Sequence, residues 1–299
     1  MNINSFKNKI FNIAQFDHEL AEFTWFGVGG NAEILFIVED LISLGNFLKN
    51  KPKKLNVLII GAGSNLLIRD KGFEGIVLLT KKINKINIDK NQIITAEAGA
   101  IDADVARFAR NNLRGGLEFL LGIPGTIGGG IRMNSGAFGS EFKDVLIDVK
   151  AINHSGEIKT FTNKELGMKY RGLEINEEWL FYSARFKTFK DQKINIQNKM
   201  KRILALRKEA QPIGVKTGGS TFKNPIGSKA WKLIDKAGCR GFRIGGAMIS
   251  EKHCNFIINS KNSTAQDIED LGEYVKDKVK RTSGIDLTWE IKRIGTKWK

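Results

Sequence analysis

The stretch LIIGAGSNLL, residues 58–67, begins with the apolar run of a buried strand and then breaks into a glycine turn. Dinucleotide-binding folds place their phosphate loop at such a point, but their Gly-x-Gly-x-x-Gly spacing needs a third glycine where this chain has Leu66. The next residues, LLIRDKGFEG, show no helical period, and no Gly-Lys-Ser/Thr completes a P-loop. Gly61 and Gly63 still leave backbone N–H groups able to face an anion. An ordinary turn at the end of a strand would give the same short pattern.

Length and composition indicate a globular protein. A chain of 299 residues is long enough for two domains or one large one, and 41% hydrophobic with 27% charged residues is an ordinary balance. No apolar run reaches the roughly 18 residues of a membrane span. The N-terminus lacks the apolar core of a signal peptide and the arginines of a mitochondrial presequence. We therefore expect a cytoplasmic protein without membrane insertion.

The formal net charge of +16 makes nucleic acid a partner to consider. The lysines are spread along the whole chain, however, and no basic cluster is interleaved with aromatic residues. We expect no nucleic-acid partner, although a positive field would steer a phosphorylated substrate toward the protein. Cys239, Cys254 and the three histidines show no metal-ligand spacing, which predicts buried thiols and no metal site.

The first half of the chain combines short strands with one clear helix. The segment 101–112 has a helical period with Ile101, Val105, Phe108 and Ala109 on one face. The segment 116–139 contains too many glycines for a regular element. Strand patterns occur at residues 55–60, 75–80, 92–100, 145–152 and 179–186.

The composition changes near residue 190, and a second unit follows. A capping box from Ser263 to Gln266 predicts the start of a helix. In the final strand, residues 285–294, the apolar residues alternate onto one face and Glu290 points away from them. The predicted apolar faces of this half are Ile196, Met200, Ile203 and Leu204; Ala230, Leu233, Ile234 and Ala237; Ile268, Leu271, Val275 and Val279; and Ile285, Leu287, Trp289 and Ile291.

Three glycine-rich segments, GAGSNLL, GIPGTIGGG and KTGGSTFKNP, predict backbone wrapped around a pyrophosphate, and hence a dinucleotide held by loops. Ser220 has no Gly-x-Ser-x-Gly elbow and no nearby histidine, so a nucleophilic hydrolase is disfavoured. Its hydroxyl is either a turn group or a proton donor to a basic carbon. Arg171 is either a surface arginine or a clamp for negative charge, and Glu290 is either an exposed strand residue or a functional acid. Spacing alone does not join these three residues.

The motifs together resemble a known family. TWFGVGGNAE, GAGSNLLIRDKGFEG, GLEFLLGIPGTIGGGIRMNSGAFG, GGSTFKNP and the final WEIKRIG are similar, in this order, to bacterial UDP-N-acetylenolpyruvoylglucosamine reductases, the MurB flavoenzymes. The resemblance runs from about Phe23 to Gly295. The short span after YRGLE is that of the subtype without an extra tyrosine-bearing loop.

The resemblance implies an α+β fold with an FAD-binding region of the vanillyl-alcohol oxidase type and a C-terminal α+β substrate domain. Residues 1–190 would form the FAD-binding region, as two subdomains with a boundary near 80. Residues 191–299 would bind the substrate, with the last strand returning to the active site. The protein is expected to be a monomer.

The implied reaction is NADPH-dependent reduction of UDP-N-acetylglucosamine enolpyruvate, with FAD as the hydride carrier. Ser220 would donate the proton, while Arg171 and Glu290, the latter protonated, would stabilise the enolate. Gly27 stands where relatives often have a basic residue, so one cationic contact to FAD is expected to be missing. The substrate would contact Tyr170, Lys223, Asn224 and His253, and FAD would contact Gly61, Ala62, Gly63, Ser64, Asn65, Leu66, Gly122, Ile123, Pro124, Gly125, Thr126, Gly128, Gly129, Asn134 and Gly136.

Two other functions compete with this one. A different flavoenzyme on the same scaffold, such as an oxidase of small alcohols, would share the FAD site but not the set of Ser220, Arg171 and Glu290. A non-enzymatic basic protein that binds anionic surfaces would bind no flavin. Flavin binding would exclude the non-enzymatic basic protein. NADPH-dependent turnover of the UDP-sugar would then distinguish the reductase from another flavoenzyme.

Overall fold

The structure is a computed structural model that describes residues 3–176 and 178–296. Its α-helices are α1 (Ile3–Ile10), α2 (Leu41–Asn50), α3 (Asp102–Asn111), α4 (Ile127–Arg132), α5 (Phe142–Val145), α6 (Asn163–Leu166), α7 (Lys193–Ala210), α8 (Ala230–Lys236) and α9 (Ala265–Ser283). None of the helices in the described ranges is both long and apolar enough to span a bilayer.

Short strands, often several in succession, lie between these helices along the chain. They are β1 (Gln15–Glu19), β2 (Asn31–Ile37), β3 (Val57–Ile60), β4 (Leu66–Ile68), β5 (Phe73–Leu79), β6 (Ile86–Ile88), β7 (Ile94–Glu97), β8 (Arg114–Gly115), β9 (Gly136–Ala137), β10 (Ser140–Glu141), β11 (Leu146–Asn153), β12 (Ile158–Thr162), β13 (Trp179–Phe186), β14 (Phe189–Lys190), β15 (Lys216–Ser220), β16 (Arg243–Ile244), β17 (Ala247–Ile249), β18 (Phe256–Asn259) and β19 (Lys292–Ile294). The larger sheets have the orders β1-β2-β5-β3, β12-β11-β13-β7-β6 and β15-β18-β17-β16.

The chain divides into two compact units that alternate along the sequence. The first combines residues up to Gln15 with Leu35–Ala62 and Gly75–Arg207, and the second combines Phe16–Ile34, Gly63–Glu74 and the residues from Lys208 onward. This division by compactness differs from the domain boundaries expected at residues 80 and 190, which concern ligand binding and stay predictions. The glycine turn of residues 61–65 is therefore divided between the units, with Gly61 in the first and Gly63 in the second.

The first unit packs α3 and the short helices against the five-stranded sheet. Phe142 lies at the centre of its core, with its ring 6.0 Å from those of Phe119 and Phe186. The predicted helix 101–112 is confirmed as α3, and Val105 and Ala109 are buried as expected. Ile101 was wrongly placed on the buried face, since it is 44% exposed. It precedes the helix in extended conformation and pairs with Thr126 instead.

The glycine-rich segment 116–139 is more regular than expected. A 3₁₀ helix spans Glu118–Gly122, and α4 spans Ile127–Arg132. Gly130 lies in α4 against the ring of Phe142, which a side chain at this position would overlap. The prediction of an irregular segment was wrong here because close packing requires these glycines inside a helix, despite their low helix propensity.

The second unit packs α8 and α9 on its four-stranded sheet. All four residues of the predicted apolar face of α9 are fully buried, as Ile268 and Val275 illustrate. The capping box was wrong by one residue, because Thr264 caps the helix and Asp267 completes the box. The side-chain oxygen of Thr264 accepts from the N–H of Asp267, and the carboxylate of Asp267 accepts from that of Thr264.

The glycine turn leads into a strand because of long-range partners within the second unit. β4 pairs in parallel with the C-terminal strand β19. Just after β4, Arg69 forms a two-pronged ion pair with the buried Glu269 of α9, at 2.8 and 3.0 Å. The carboxylate of Asp70 accepts from the first N–H groups of α9, those of Ala265 and Gln266. Such contacts connect residues about 200 positions apart, and no local pattern reveals them.

Candidate functional site

Both glycines of the opening turn are required by their neighbours. A Cβ built on Gly61 would overlap the hydroxyl of Thr126 in the first unit. Gly63 has φ +63°, and a Cβ there would overlap the carbonyl oxygen of Phe23 in the second unit. The first glycine therefore leaves room for a polar side chain, and the second allows a left-handed turn against a neighbouring backbone.

The second half of this turn has unused backbone donors. Among the described residues, the N–H groups of Gly63, Ser64 and Asn65 donate to no protein acceptor. The Asn65 side chain donates to the carbonyl of Glu290 at 3.1 Å, and the N–H of Lys292 donates to the Asn65 carbonyl at 3.0 Å. The turn is thus held by the C-terminal segment while three consecutive donors stay available to an anion.

Residues 122–136 in the first unit provide a second such group. Within the described ranges, the N–H groups of Gly125 and Thr126 and the buried Thr126 hydroxyl have no protein partner. Gly129 is exposed, and the nearest atom to a Cβ built on it is the Thr126 hydroxyl oxygen, 3.8 Å away. A buried hydroxyl without a partner costs free energy, and a polar ligand on this surface would remove that cost.

The other predicted flavin-binding glycines of this segment serve packing within the protein. A Cβ on Gly128 would lie 2.9 Å from the Ala98 Cβ, and one on Gly136 would lie 2.8 Å from the Glu141 Cβ. Ile123, Pro124 and Gly125 are half-buried in the connection between the two short helices. Glycine content alone therefore overstates the number of residues that a ligand needs, and direct contact at each position stays a prediction.

Asn134 is fully buried, and its side chain bonds to protein groups on both sides. Its amide nitrogen donates to the Glu141 carboxylate at 2.7 Å and to the Lys169 carbonyl at 3.2 Å, while its oxygen accepts from the N–H of Lys143 at 3.0 Å. Asn134 thereby connects the glycine-rich segment to the turn that carries Arg171. Its predicted contact with FAD stays a prediction.

Arg171 lies in a two-residue turn in the first unit. Lys169 and Gly172 exchange both backbone hydrogen bonds, at 3.0 and 3.2 Å, with Tyr170 and Arg171 between them. Arg171 has φ +55°, a region that costs a non-glycine residue roughly 1 kcal/mol. Its guanidinium carbon lies 5.3 Å from the centre of the Tyr170 ring, which is 53% exposed. The turn presents an aromatic ring and a cation together.

Ser220 and Glu290 are brought together by backbone pairing in the second unit. The N–H of Glu290 donates to the carbonyl of Thr221 at 2.8 Å, and Phe222 forms an antiparallel bridge with Trp289. Two residues that are 70 positions apart in sequence thus lie on adjacent segments. The predicted strand over 285–294 is confirmed only at its end, because Lys292–Ile294 is the part of it that forms a strand. Glu290 is half-buried rather than exposed.

Asn255, which no sequence motif indicated, is hydrogen-bonded to the segment after Ser220. Its side-chain oxygen accepts from the N–H of Phe222 at 2.9 Å, and its amide nitrogen donates to the carbonyl of the same residue at 2.8 Å. Its own carbonyl accepts from the N–H of Thr221 at 2.7 Å. Asn255 is 4% exposed, and the only sequence signal was a polar residue inside the apolar run CNFII.

The predicted substrate residues of the second unit lie near the same segments. The N–H of Lys223 donates to the Thr288 carbonyl at 2.9 Å, and the side-chain oxygen of Asn224 accepts from the first N–H of α8, that of Ala230, at 3.0 Å. The Nδ1 of His253 accepts from the N–H of Asn255 at 3.2 Å, which leaves Nε2 as the protonated nitrogen of the neutral ring. Burial lowers the pKa of His253, so this neutral form prevails at pH 7.

The two thiols are buried, as predicted. Cys254 donates to the Asp235 carboxylate at 3.6 Å, and burial raises the pKa of its thiol to about 11. A thiol held in this way is unreactive at neutral pH. Within the described ranges, no group of three or more His, Cys, Asp or Glu side chains is arranged to hold a metal ion.

Comparison with known proteins agrees with these observations. Residues 38–162 match the family model "FAD binding domain", and residues 211–294 match "UDP-N-acetylenolpyruvoylglucosamine reductase, C-terminal domain". Within the described residues, each unit taken by itself has backbone N–H groups without a protein acceptor, and groups of this kind fit a phosphate. The protein is therefore an FAD-dependent oxidoreductase of α+β fold, as predicted.

The relatives narrow this class to one family. The UDP-N-acetylenolpyruvoylglucosamine reductase of Rickettsia typhi is 50% identical over 93% of this chain and 95% of its own length. That of Paramagnetospirillum magneticum is 51% identical over 94% of this chain and 91% of its own. The crystal structure of the MurB reductase from Thermus caldophilus superposes with a TM-score of 0.81 at 31% identity, covering 94% of this chain and 97% of that one. The chain belongs to the UDP-N-acetylenolpyruvoylglucosamine reductase family, which confirms the predicted resemblance.

Proposed function

We propose that this protein reduces the enolpyruvyl ether of UDP-N-acetylglucosamine to UDP-N-acetylmuramate for peptidoglycan precursor synthesis, with NADPH as the reductant. The observation that carries the proposal is the pairing of the Ser220 and Glu290 segments through the hydrogen bond from Glu290 N–H to the Thr221 carbonyl. It places a hydroxyl and a carboxyl group on neighbouring backbone, a pair suited to a reaction that builds and then protonates an enolate.

The residues of this chain have distinct roles in the proposed reaction. When bound, FAD supplies the chemistry of taking hydride from NADPH and passing it to the alkene carbon. Arg171 and a protonated Glu290 stabilise the negative charge that develops on the enolpyruvyl carboxylate. Ser220 delivers the proton to the carbon next to that carboxylate. Tyr170, Lys223, Asn224 and His253 contact the UDP-sugar. The cytoplasmic location and the monomeric state stay predictions.

The FAD contacts of the proposal follow from the unused donors. Gly63, Ser64 and Asn65 in the second unit and Gly125 and Thr126 in the first have backbone N–H groups without a protein acceptor in the described ranges. We assign the group at Gly63, Ser64 and Asn65 to the pyrophosphate, since oriented backbone N–H groups bind phosphate oxygens.

Replacement of Ser220 by alanine tests the proposal. The Ser220→Ala variant should be reduced by NADPH at the normal rate but lose product formation by about 10²-fold or more, since only the proton transfer is removed. Ser228→Ala, a nearby serine outside the proposed site, is the matched control and should turn over normally. Normal turnover by Ser220→Ala would refute its role as proton donor. For the wild type, flavin reduction by a small alcohol and reoxidation by oxygen, without reoxidation by the UDP-sugar, would favour the alternative flavoenzyme.

A further inference from the structure

Lys216 lies across Gly27 in the second unit. A Cβ built on Gly27 would lie 3.1 Å from both Cδ and Nζ of Lys216 and 3.2 Å from its Cε. The end of the lysine side chain therefore runs over the glycine backbone, in the space that any other residue would begin to fill. Gly27 also has φ +64°, a conformation that favours glycine. This glycine allows a cation to approach the main chain closely.

The Lys216 ammonium group has no counterion among the described residues. Across residues 3–176 and 178–296, its side chain forms no ion pair and no hydrogen bond. Arg69 and Arg240 in the same unit are both paired with carboxylates, at 2.8 and 2.9 Å. Lys216 is therefore a cation placed against backbone, and its charge is available to a ligand.

The backbone under Lys216 belongs to the segment that carries the anion-binding turn. The N–H of Trp25 donates to the carbonyl of Gly63 at 3.2 Å, and Gly63 packs on the backbone of Phe23 and Thr24. Gly218, two residues after Lys216, packs against the ring of Phe26. Residues 23–27, 63–65 and 216–218 thus form one cluster of the second unit, which we call the turn cluster. Within the described residues, it contains the unused N–H donors of Gly63, Ser64 and Asn65 and the unpaired ammonium group of Lys216.

We propose that Lys216 binds the pyrophosphate of FAD as the cationic member of the turn cluster. Backbone N–H groups recognise phosphate oxygens by direction, and a lysine adds a point charge that neutralises the diphosphate. The ammonium group reaches this place from β15, across the space that Gly27 leaves open. The proposal rests on the FAD dependence of the chain and not on the roles of Ser220, Arg171 or Glu290.

Titration of the apoprotein with FAD tests the proposal without turnover. Quenching of flavin fluorescence gives the Kd for the wild type and for Lys216→Met, which keeps most of the side-chain volume and removes the charge. We expect about tenfold weaker binding, and a flatter dependence of Kd on salt, because a charge-assisted contact to phosphate is lost. Lys261→Met, an exposed lysine of the same unit, is the matched control for net charge and should bind FAD as the wild type does.

Equal Kd values for Lys216→Met and the wild type would overturn the proposal, and so would equal losses in Lys216→Met and Lys261→Met. A double-mutant cycle with Gly27→Ala tests the geometry, because the added methyl group displaces the ammonium. Gly27→Ala should weaken FAD binding more with Lys216 present than in the Lys216→Met background, where only the steric strain at φ +64° remains. Independent, multiplying losses would contradict the placement. If Lys216→Met weakens FAD binding as expected but the wild type does not turn over the UDP-sugar, only the proposed reaction is refuted.

Discussion

The two units carry the proposed catalytic residues in different ways. In the second unit, Ser220 and Glu290 lie on segments joined by backbone hydrogen bonds and braced by the buried Asn255. In the first unit, Arg171 lies in a two-residue turn with a left-handed backbone, anchored through the contact of Asn134 with Lys169. Glu290 and Ser220 thus lie on backbone held by several hydrogen bonds, whereas Arg171 lies in a short turn. We therefore expect substitutions at Glu290 and Ser220 to slow flavin reoxidation by the UDP-sugar more than a substitution at Arg171.

The largest effect is expected for Glu290→Gln. The variant keeps the shape of the side chain but removes the acidic proton proposed to stabilise the enolate. The rate of flavin reoxidation by the UDP-sugar should fall by about 10²- to 10³-fold, while flavin reduction by NADPH is retained. Anaerobic stopped-flow absorbance measures the two half-reactions separately. Equal loss in both would indicate a structural role for Glu290.

Asn255→Leu tests the brace itself. Leucine keeps the branching at Cγ but is larger and cannot hydrogen-bond, so it leaves the N–H and carbonyl groups of Phe222 buried without partners. The free energy of unfolding should fall by about 3 kcal/mol, and reoxidation by the UDP-sugar should slow by roughly ten- to a hundredfold as Ser220 loses its position. Urea unfolding and the same stopped-flow assay measure the two effects.

Asn255→Asp provides the graded control for this brace. Aspartate can still accept from the N–H of Phe222 but, when ionised, cannot donate to its carbonyl. At acidic pH, where the aspartate is protonated and can still donate, its losses should lie between those of the wild type and Asn255→Leu, and they should grow as the pH rises and the buried group ionises. A variant Asn255→Leu that loses stability but reoxidises at the normal rate would show that the brace does not position Ser220.

Arg171→Lys tests the turn of the first unit. Lysine keeps the charge but loses the planar guanidinium fork that binds a carboxylate through two parallel hydrogen bonds. Reoxidation by the UDP-sugar should slow by about tenfold, which corresponds to about 1.4 kcal/mol of transition-state stabilisation. A thermal unfolding midpoint equal to that of the wild type would show that the turn is intact. A loss larger than that of Glu290→Gln would reverse the proposed order of the two units.

Asp102 should affect stability alone. It is fully buried at the start of α3, neither carboxylate oxygen has a partner in the described part of the chain, and burial raises its pKa well above the usual value. The native state therefore holds a proton that the unfolded chain loses above about pH 4, so the free energy of unfolding falls as pH rises, by up to about 1.4 kcal/mol per pH unit. Asp102→Asn should remove this slope and leave both half-reactions unchanged.

Unfolding in urea between pH 4.5 and 8 measures this difference. Asp104→Asn, an exposed aspartate of the same helix, is the control and should retain the slope. Equal slopes for the wild type and Asp102→Asn would mean that Asp102 is ionised in the folded protein.

Much of the fold could be predicted from local patterns in the sequence. The strand 179–186 matches β13, and the apolar faces of α3 and α9 are largely confirmed, since each depends on the period of its own segment. The register of the α9 cap was wrong by one residue because Ser263 and Thr264 are both competent caps. Which one caps the helix depends partly on Asp70, far away in sequence.

The site was less predictable because its supports are long-range. Family resemblance gave Ser220, Glu290 and Arg171, but no local pattern gives the contacts of Asn255 or the position of Lys216 over Gly27. The glycines of residues 122–136 illustrate the opposite error. Gly130 packs on Phe142, whereas Gly129 is exposed, and only the structure separates packing glycines from candidates for ligand contact.

The most direct test of the proposed function is one anaerobic visible spectrum of the purified holoprotein, followed through two additions. Flavin absorption should bleach with NADPH and return on addition of UDP-N-acetylglucosamine enolpyruvate, with one equivalent of UDP-N-acetylmuramate formed per flavin. Bleaching without recovery would contradict the proposed substrate and leave a flavoenzyme of another specificity.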